Sequence, residues 1–315
     1  MKGNIMDVFK PEGALLKTAK NIEYTSSSQG LTRAFENRIT LEGIAVMCDH
    51  DFTLHISLPC NIPAIIKKED SVYSFNGEET KDIAILTRVG KPVCFKVVGF
   101  ERRCGEVCAV LSRRAAQEEC YKEYISALVP GDIVNARITH LESFGAFADI
   151  GCGIISLLSI DCISVSRIAH PEERLSVGEQ ILAVIKSRDA TGRINISMRE
   201  LLGTWLENAS LFSEGETVGG IVRGIESYGI FIELTPNLAG LAEYKENVRR
   251  GQTAAVYIKS IIPDKMKVKL IIIDTQDEIS PKVPFNYFID TSDIKRIDTW
   301  QYSPKGSKKL VESVF

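Results

Sequence analysis

His140–Ile150 reads HLESFGAFADI, and Gly224–Leu234 reads GIESYGIFIEL. The two stretches align without a gap. After the first residue both run apolar, Glu, Ser, aromatic, Gly, small or apolar, Phe, apolar, acidic, apolar. The likeness extends in both directions. Upstream, PGDIVNARI (130–138) matches EGETVGGIV (214–222). Downstream, a Gly-containing turn and a short apolar run follow in each copy, GCGIISLL (151–158) and PNLAGLAEY (236–244). Then come VGEQILAVIKS (177–187) against RGQTAAVYIKS (250–260), and RINISM (193–198) against KVKLII (267–272). Self-similarity of this length marks a repeated structural unit.

Period-two alternation broken by Gly, Pro and Asn marks short, half-buried strands. About five such strands in some 70 residues suit a small closed barrel of the OB type. A more divergent third copy lies upstream. ITLEGIAVMCDHDFTLHISL (39–58) reads as its first two strands, NIPAIIKKED (61–70) as the third, and VGKPVCFKVVGF (89–100) with EVCAVLSRR (106–114) as the last two. Between the barrels, Ala116, Cys120, Tyr124 and Leu128 fall on one helical face, as do Leu201, Leu202, Trp205, Leu206 and Ala209. Apolar stripes at this spacing predict short amphipathic helices packed on the barrels, with Trp205 in the core.

SFGAFADI (143–150), a Gly turn, and VGEQILAVIKSRDATGRINISMR (177–199) resemble the RNA-binding repeat of bacterial ribosomal protein S1. The resemblance covers 130–199 well, 214–274 fairly and 39–114 in outline. The resulting expectation is an all-β fold of three tandem OB-fold, S1-type, five-stranded barrels joined by short helices. Its parts are a flexible arm (1–35), a degenerate S1-like barrel (36–114), a helical linker (115–129), a barrel (130–199), a second helical linker (200–212), a barrel (213–274) and a tail (275–315) draped over the last barrel.

The resemblance also implies a binding face on which RNA crosses two aromatics near a His, an Asp and an Arg. In the second barrel it assigns Phe144 and Phe147 as the rings, Asp189 and Arg193 as the acid and base, and Ser156 at the His position. In the third it assigns Tyr228 and Phe231 as the rings, Lys267 at the Arg position, Pro263 at the Asp position and Glu243 at the His position. In the first, Asp51 and Leu54 stand where the rings belong. Exposed rings suit this task because unstacked bases present π-faces. Phe144 and Phe147 are three apart, so a straight strand would put them on opposite faces; a bulge at Gly145 is expected to re-aim one.

Alternation adds further candidates. If Ile194, Ile196 and Met198 point inward, Arg193, Asn195, Ser197 and Arg199 share the outer face. If Met266, Val268 and Leu270 point inward, Lys265, Lys267 and Lys269 form a basic ladder able to track phosphates. The 315 residues carry a formal net charge of only -3, so binding must rest on such local patches.

Catalytic signatures are missing from the sequence: it has no phosphate-binding loop, no His-Glu-x-x-His and no Gly-x-Ser-x-Gly. None of the eight cysteines shows paired zinc-site spacing, so neither a metal nor a cofactor is expected. No apolar run approaches the ~18 residues of a membrane span, and the first residues do not read as a secretory signal. The expectation is a cytoplasmic, non-enzymatic protein that holds single-stranded RNA, specifically mRNA, at or near the small ribosomal subunit. The rival roles are a protein-interaction adaptor working through the first barrel and an accessory of an RNA-processing complex.

Overall fold

The computed structural model describes residues 9–74, 81–103, 105–277 and 285–315. Three five-stranded barrels follow one another. The first contains β1 (Thr40–Cys48), β2 (Leu54–Ser57), β3 (Ala64–Ile66), β4 (Pro92–Arg103) and β5 (Glu106–Ser112). The second contains β6 (Ile133–Glu142), β7 (Gly145–Asp149), β8 (Ile155–Ser159), β9 (Gln180–Arg188) and β10 (Ile194–Ser197). The third contains β11 (Thr217–Glu226), β12 (Gly229–Thr235), β13 (Leu238–Ala242), β14 (Thr253–Ile262) and β15 (Lys267–Gln276). Each closes in the same order: first, second, third, fifth and fourth strand. The fifth strand runs parallel to the third and antiparallel to the fourth. Closure pairs the strands of each barrel on both sides along their shared stretches.

Alternation builds these barrels. Along β15, Lys267, Lys269, Ile271 and Ile273 face out, while Val268, Leu270 and Ile272 enter the core. Trp205, on the short helix Trp205–Ala209, is 2% exposed and belongs to the same core.

Residues 1–35 are not a flexible arm over their described part. They hold α1 (Ala19–Thr25) and most of α2 (Ser28–Glu36). The serines at 26–28 are a helix start: the Ser27 hydroxyl accepts the Gly30 amide. Leu31 and Ala34 are sealed in the first barrel's core, which stabilises two helices too short to persist alone. Cys104 lies outside the described residues.

The chain forms two compact units. The first takes the chain up to Leu128 together with Asn135–Arg137 and Asp149–Ser156; the second takes the rest. The first unit has a polar centre. Arg113 at the start of α3 (Arg113–Glu123) grips Glu12 through two bonds of 2.7 and 3.0 Å. Glu12 also accepts the Cys94 amide at 3.0 Å and donates its own amide to Asp149 at 2.7 Å.

In the second unit Arg174 and Arg223 share the buried carboxylate of Glu233, each with one bond of 2.8 Å. Asn237 ties the 199–203 turn to β13 by donating to Arg199 O and Gly203 O, both at 2.8 Å. The tail does more than drape the last barrel. Trp300 and Tyr302 join the third barrel's core, whereas Tyr287, Ile289, Ile297 and Phe315 pack on Ile133, Val184 and Leu201 of the second barrel and its following turn. Pro, turn and aromatic residues in a row did not reveal which barrel each ring would choose.

Candidate nucleic-acid interface

The second barrel's paired rings sit where β6 turns into β7. Phe144 is 55% exposed and stands edge-on to half-buried Phe147, with centroids 6.1 Å apart and planes at 86°. The third barrel repeats the arrangement: Tyr228 is 67% exposed, and its ring lies 6.1 Å from Phe231 at 88°. The rings share a face because Phe144 and Tyr228 occupy the hairpin turn rather than the strand. No bulge at Gly145 is needed. The irregularity in the third barrel falls on the opposing strand, between Val222 and Gly224. Glycine is required after the first ring for another reason: a Cβ on Gly145 would lie 2.4 Å from Leu158 O, and one on Gly229 would lie 2.5 Å from Ala242 O.

One functional candidate escaped the sequence reading. His140 is exposed and lies against Phe147, centroids 6.4 Å apart and planes at 21°. Its Nε2 is 2.7 Å from the Glu142 carboxylate. The second barrel therefore presents three rings. Gly224 takes the equivalent place in the third barrel, and a Cβ there would meet Phe231 at 3.6 Å. The signal was the first column of the aligned repeats, His against Gly, the one position where they differ in kind.

Several sequence assignments move. Ser156 is 2% exposed and points into the barrel, so it cannot stand at the His position of an outer face. Gly145 backs onto Leu158 and Ser159 as Gly229 backs onto Ala242, so Ser159 is the counterpart of Glu243. Glu243 is exposed just beyond β13. Arg199 has left the strand for a 3₁₀ turn, where its guanidinium donates to Glu200, to Asp161 O at 3.3 Å and to Ser313 at 3.3 Å. Ser197 is fully buried, so the outward row of β10 ends at Arg193 and Asn195. Asp189 folds its own hairpin: its carboxylate accepts the Thr191 hydroxyl at 2.7 Å and the Thr191 and Arg193 amides at 2.8 and 2.9 Å. Those bonds, the Thr191 hydroxyl foremost, hold its carboxyl below the usual range. Arg193 is exposed beside that turn.

The lysine ladder is shorter than expected. Lys267 and Lys269 point outward from β15, but Lys265 sits in a 3₁₀ turn, and left-handed Met266 (φ 47°) breaks the alternation between them. Lys269 pairs in register with Leu241, which pairs with Phe231. One outer row thus runs from the aromatic pair to a cation.

The first barrel keeps ring-like groups after all. Its β1–β2 register pairs Met47 with His55 and Cys48 with Leu54, after a shift two residues earlier. The third barrel pairs Gly224 with Phe231 and Ile225 with Ile230 after the same shift. His55 therefore stands in the place of Phe231, and Phe52 in that of Tyr228. Leu54 is fully buried, and Asp51 is exposed in the hairpin turn. Lys68 covers the Phe52 ring at 4.6 Å, and His55 meets Asp49 at 3.3 Å. A longer hairpin displaced the sequence alignment by one residue.

Residues 128–199 match the family model described as the S1 RNA binding domain. The chain is 30% identical over 208 residues to small ribosomal subunit protein bS1 of Rhizobium meliloti, an alignment covering 60% of this chain and 36% of that protein. It is 25% identical over 275 residues to bS1 of Staphylococcus aureus, covering 84% and 66%. The chain thus spans less than two thirds of either relative. A solved multidomain protein with nucleic acid binding domains from Streptococcus pneumoniae aligns over 78% of this chain at 14% identity, with a TM-score of 0.25, too loose a match to carry an argument. Residues 128–199, the second barrel, thus match the S1 RNA binding domain, and the chain as a whole is similar to the bS1 small ribosomal subunit proteins.

Proposed function

We propose that the protein binds single-stranded RNA without catalysis, across the outer faces of its barrels, with the second barrel as the principal site. The observation that carries this reading is the exposed edge-on pair Phe144–Phe147 backed by His140. Unpaired bases can stack on such rings, each contributing about 1–3 kcal/mol, whereas a duplex keeps its bases stacked on one another. Arg193 supplies a cation near this face, and Lys267 and Lys269 do so on the third barrel. With a formal net charge of -3, affinity per barrel is modest, and tethering several barrels raises it by effective concentration.

Similarity to the bS1 proteins supports the small ribosomal subunit as the place of action, and in this reading the RNA held there is mRNA and the compartment the cytoplasm. The first barrel joins the RNA face only weakly in this reading, because Lys68 and Asp49 already engage Phe52 and His55. The test is a titration of the full chain with a labelled 20-nucleotide single strand and with its perfect duplex in one buffer. The single strand should bind more tightly; equal affinities would remove stacking from the account.

A further inference from the structure

The three barrels share a wall built from the start of the first strand and the facing residues of the fourth and fifth. The registers fix the equivalence. β9 and β10 shift between Asn195 and Ile196, and β14 and β15 shift between Ile258 and Ser260, so the pair Val184–Ser197 corresponds to Tyr257–Ile271. At the head of the wall, Gly131 (φ 94°) donates to Ile185 O at 2.8 Å, as Gly215 (φ 90°) donates to Ile258 O at 2.9 Å.

In the second barrel this wall is covered by the chain itself. Ile133 is 3% exposed, and Val184 and Ser197 are both 0%. The Ile133 amide donates to Lys295 O, and the Ile297 amide to Gly131 O, each at 2.9 Å. A Cβ on Gly131 would strike Ile297 O at 2.2 Å. In the first barrel the matching pair, Lys96–Ser112, is also buried; Lys96 donates to Arg38 O at 2.5 Å and pairs with Glu119 at 2.6 Å.

The third barrel's wall is bare. Gly215 and Thr217 are exposed, Tyr257 is 39% exposed and Ile271 46%, and Ile273, the next outward residue, is 51% exposed. Thr217, Tyr257 and Ile271 are direct neighbours across three strands. A Cβ on Gly215 would find only the Tyr257 hydroxyl, 3.9 Å away.

We infer that this wall docks an extended polypeptide segment of a partner, bearing branched aliphatic residues on either side of a Lys or Arg. Two isoleucines offer neither π-face nor hydrogen bond to a base, but they suit aliphatic side chains. The backbone geometry at 215–217 matches that at 131–133, where Lys295–Ile297 already docks. Charge fits as well. Asp132 and Arg296 stand opposite each other as an antiparallel β-bridge in the second barrel, and exposed Glu216 takes the place of Asp132 in the third, so a basic residue suits the position facing it. Main-chain bonds at such a site give affinity, and alternate side chains give specificity.

The test uses the full chain with isoleucine methyl labels and a synthetic peptide of residues 285–299, FNYFIDTSDIKRIDT, as the probe, with a scrambled peptide as control. The expected result is a saturable shift of the Ile271 and Ile273 methyls. The shift should be lost in Ile271→Asp and weakened at least tenfold in Tyr257→Ala. Ile273→Lys serves as a second variant should either of these misfold. Four outcomes would overturn the proposal. One is no shift at those methyls, and another is an equal shift with the scrambled peptide. The third is a dimer in sedimentation that Ile271→Asp dissolves, which would make a second copy the occupant. The fourth is the same methyls moving with oligouridylate, which would make it nucleic acid.

Discussion

His140 lies nearly parallel to Phe147, centroids 6.4 Å apart and planes at 21°, while Phe144 stands edge-on to the same ring at 6.1 Å. Phe147 is therefore braced on two sides. An aromatic neighbour contributes roughly 0.5–1.5 kcal/mol beyond its burial. His140→Gly reproduces the third barrel's arrangement, and we expect it to weaken single-stranded RNA binding about two- to tenfold. Fluorescence titration of the full chain measures this. An unchanged Kd would assign His140 to the Glu142 hydrogen bond alone.

The two barrels should contribute unequally. The third has exposed Glu243 where the second has Ser159, and a carboxylate near phosphate costs roughly 1 kcal/mol at a few ångströms in water. Phe144→Ala or Phe147→Ala should therefore weaken binding more than Tyr228→Ala or Phe231→Ala. Glu243→Gln should tighten it modestly. Lys267 and Lys269 should make the third barrel's share the more salt-sensitive, because cation–phosphate contacts release counterions. Titrations at two salt concentrations test the ranking, and the reverse order would place the main site on the third barrel.

The aligned repeats made the barrels legible: glycine and aromatic landmarks recur, and alternation set the strands. The acidic column of those repeats was harder to read. Asp149 and Glu233 occupy one position, yet neither reaches the RNA face; they are 2% and 5% exposed and hold the fold together. Sequence could not show this, because their partners, Glu12 and Arg174, lie far away along the chain. Asp51 and Leu54 were misassigned because the alignment could not see a longer hairpin, although the Phe52-x-x-His55 spacing matches Phe144-x-x-Phe147. Arg199 and Lys265 failed for a different reason. Alternation was extended past the points where Ser197 enters the core and Met266 turns left-handed, so both side chains left their strands.

Glu233 should be a stability determinant rather than a binding residue. Removing its charge leaves Arg174 without its carboxylate partner and Arg223 with Glu173 alone, a loss of roughly 3–5 kcal/mol for a broken buried pair. Glu233→Gln should lower the melting temperature of the second unit markedly, whereas Glu243→Gln at the surface should not. Calorimetry of both variants decides; equal melting would mean the arginines find other partners.

The first unit should lose stability as pH rises. Burial pushes the Asp149 and Glu42 carboxyls up to about 7 each. Glu42 Oε1 is buried without a hydrogen-bond partner, while Oε2 accepts the Leu15 and Leu16 amides at 2.9 and 3.0 Å. Glu12 behaves oppositely: burial opposes ionisation, but the charge and hydrogen bonds of Arg113, with the Cys94 amide, outweigh it and hold the carboxyl low. For the two raised acids the folded state retains protons that the unfolded chain has released. Their stabilisation is full near pH 4 and disappears as pH passes 7. We expect the first unit to be less stable at pH 8 than at pH 5 by roughly 5 kcal/mol, about half from each acid. Glu42→Gln, which mimics the neutral acid, should flatten part of that slope. A melting temperature that rises from pH 5 to pH 8 would contradict the assignment.

The central claim is that the rings of the second barrel hold unpaired RNA bases. The most direct measurement is the affinity of the full chain and of Phe144→Ala/Phe147→Ala for one labelled single strand, with circular dichroism to verify folding. Loss of even one base stack at about 1–3 kcal/mol predicts a weakening of roughly five- to a hundredfold in the folded double variant. A folded double variant that binds like the parent would contradict it.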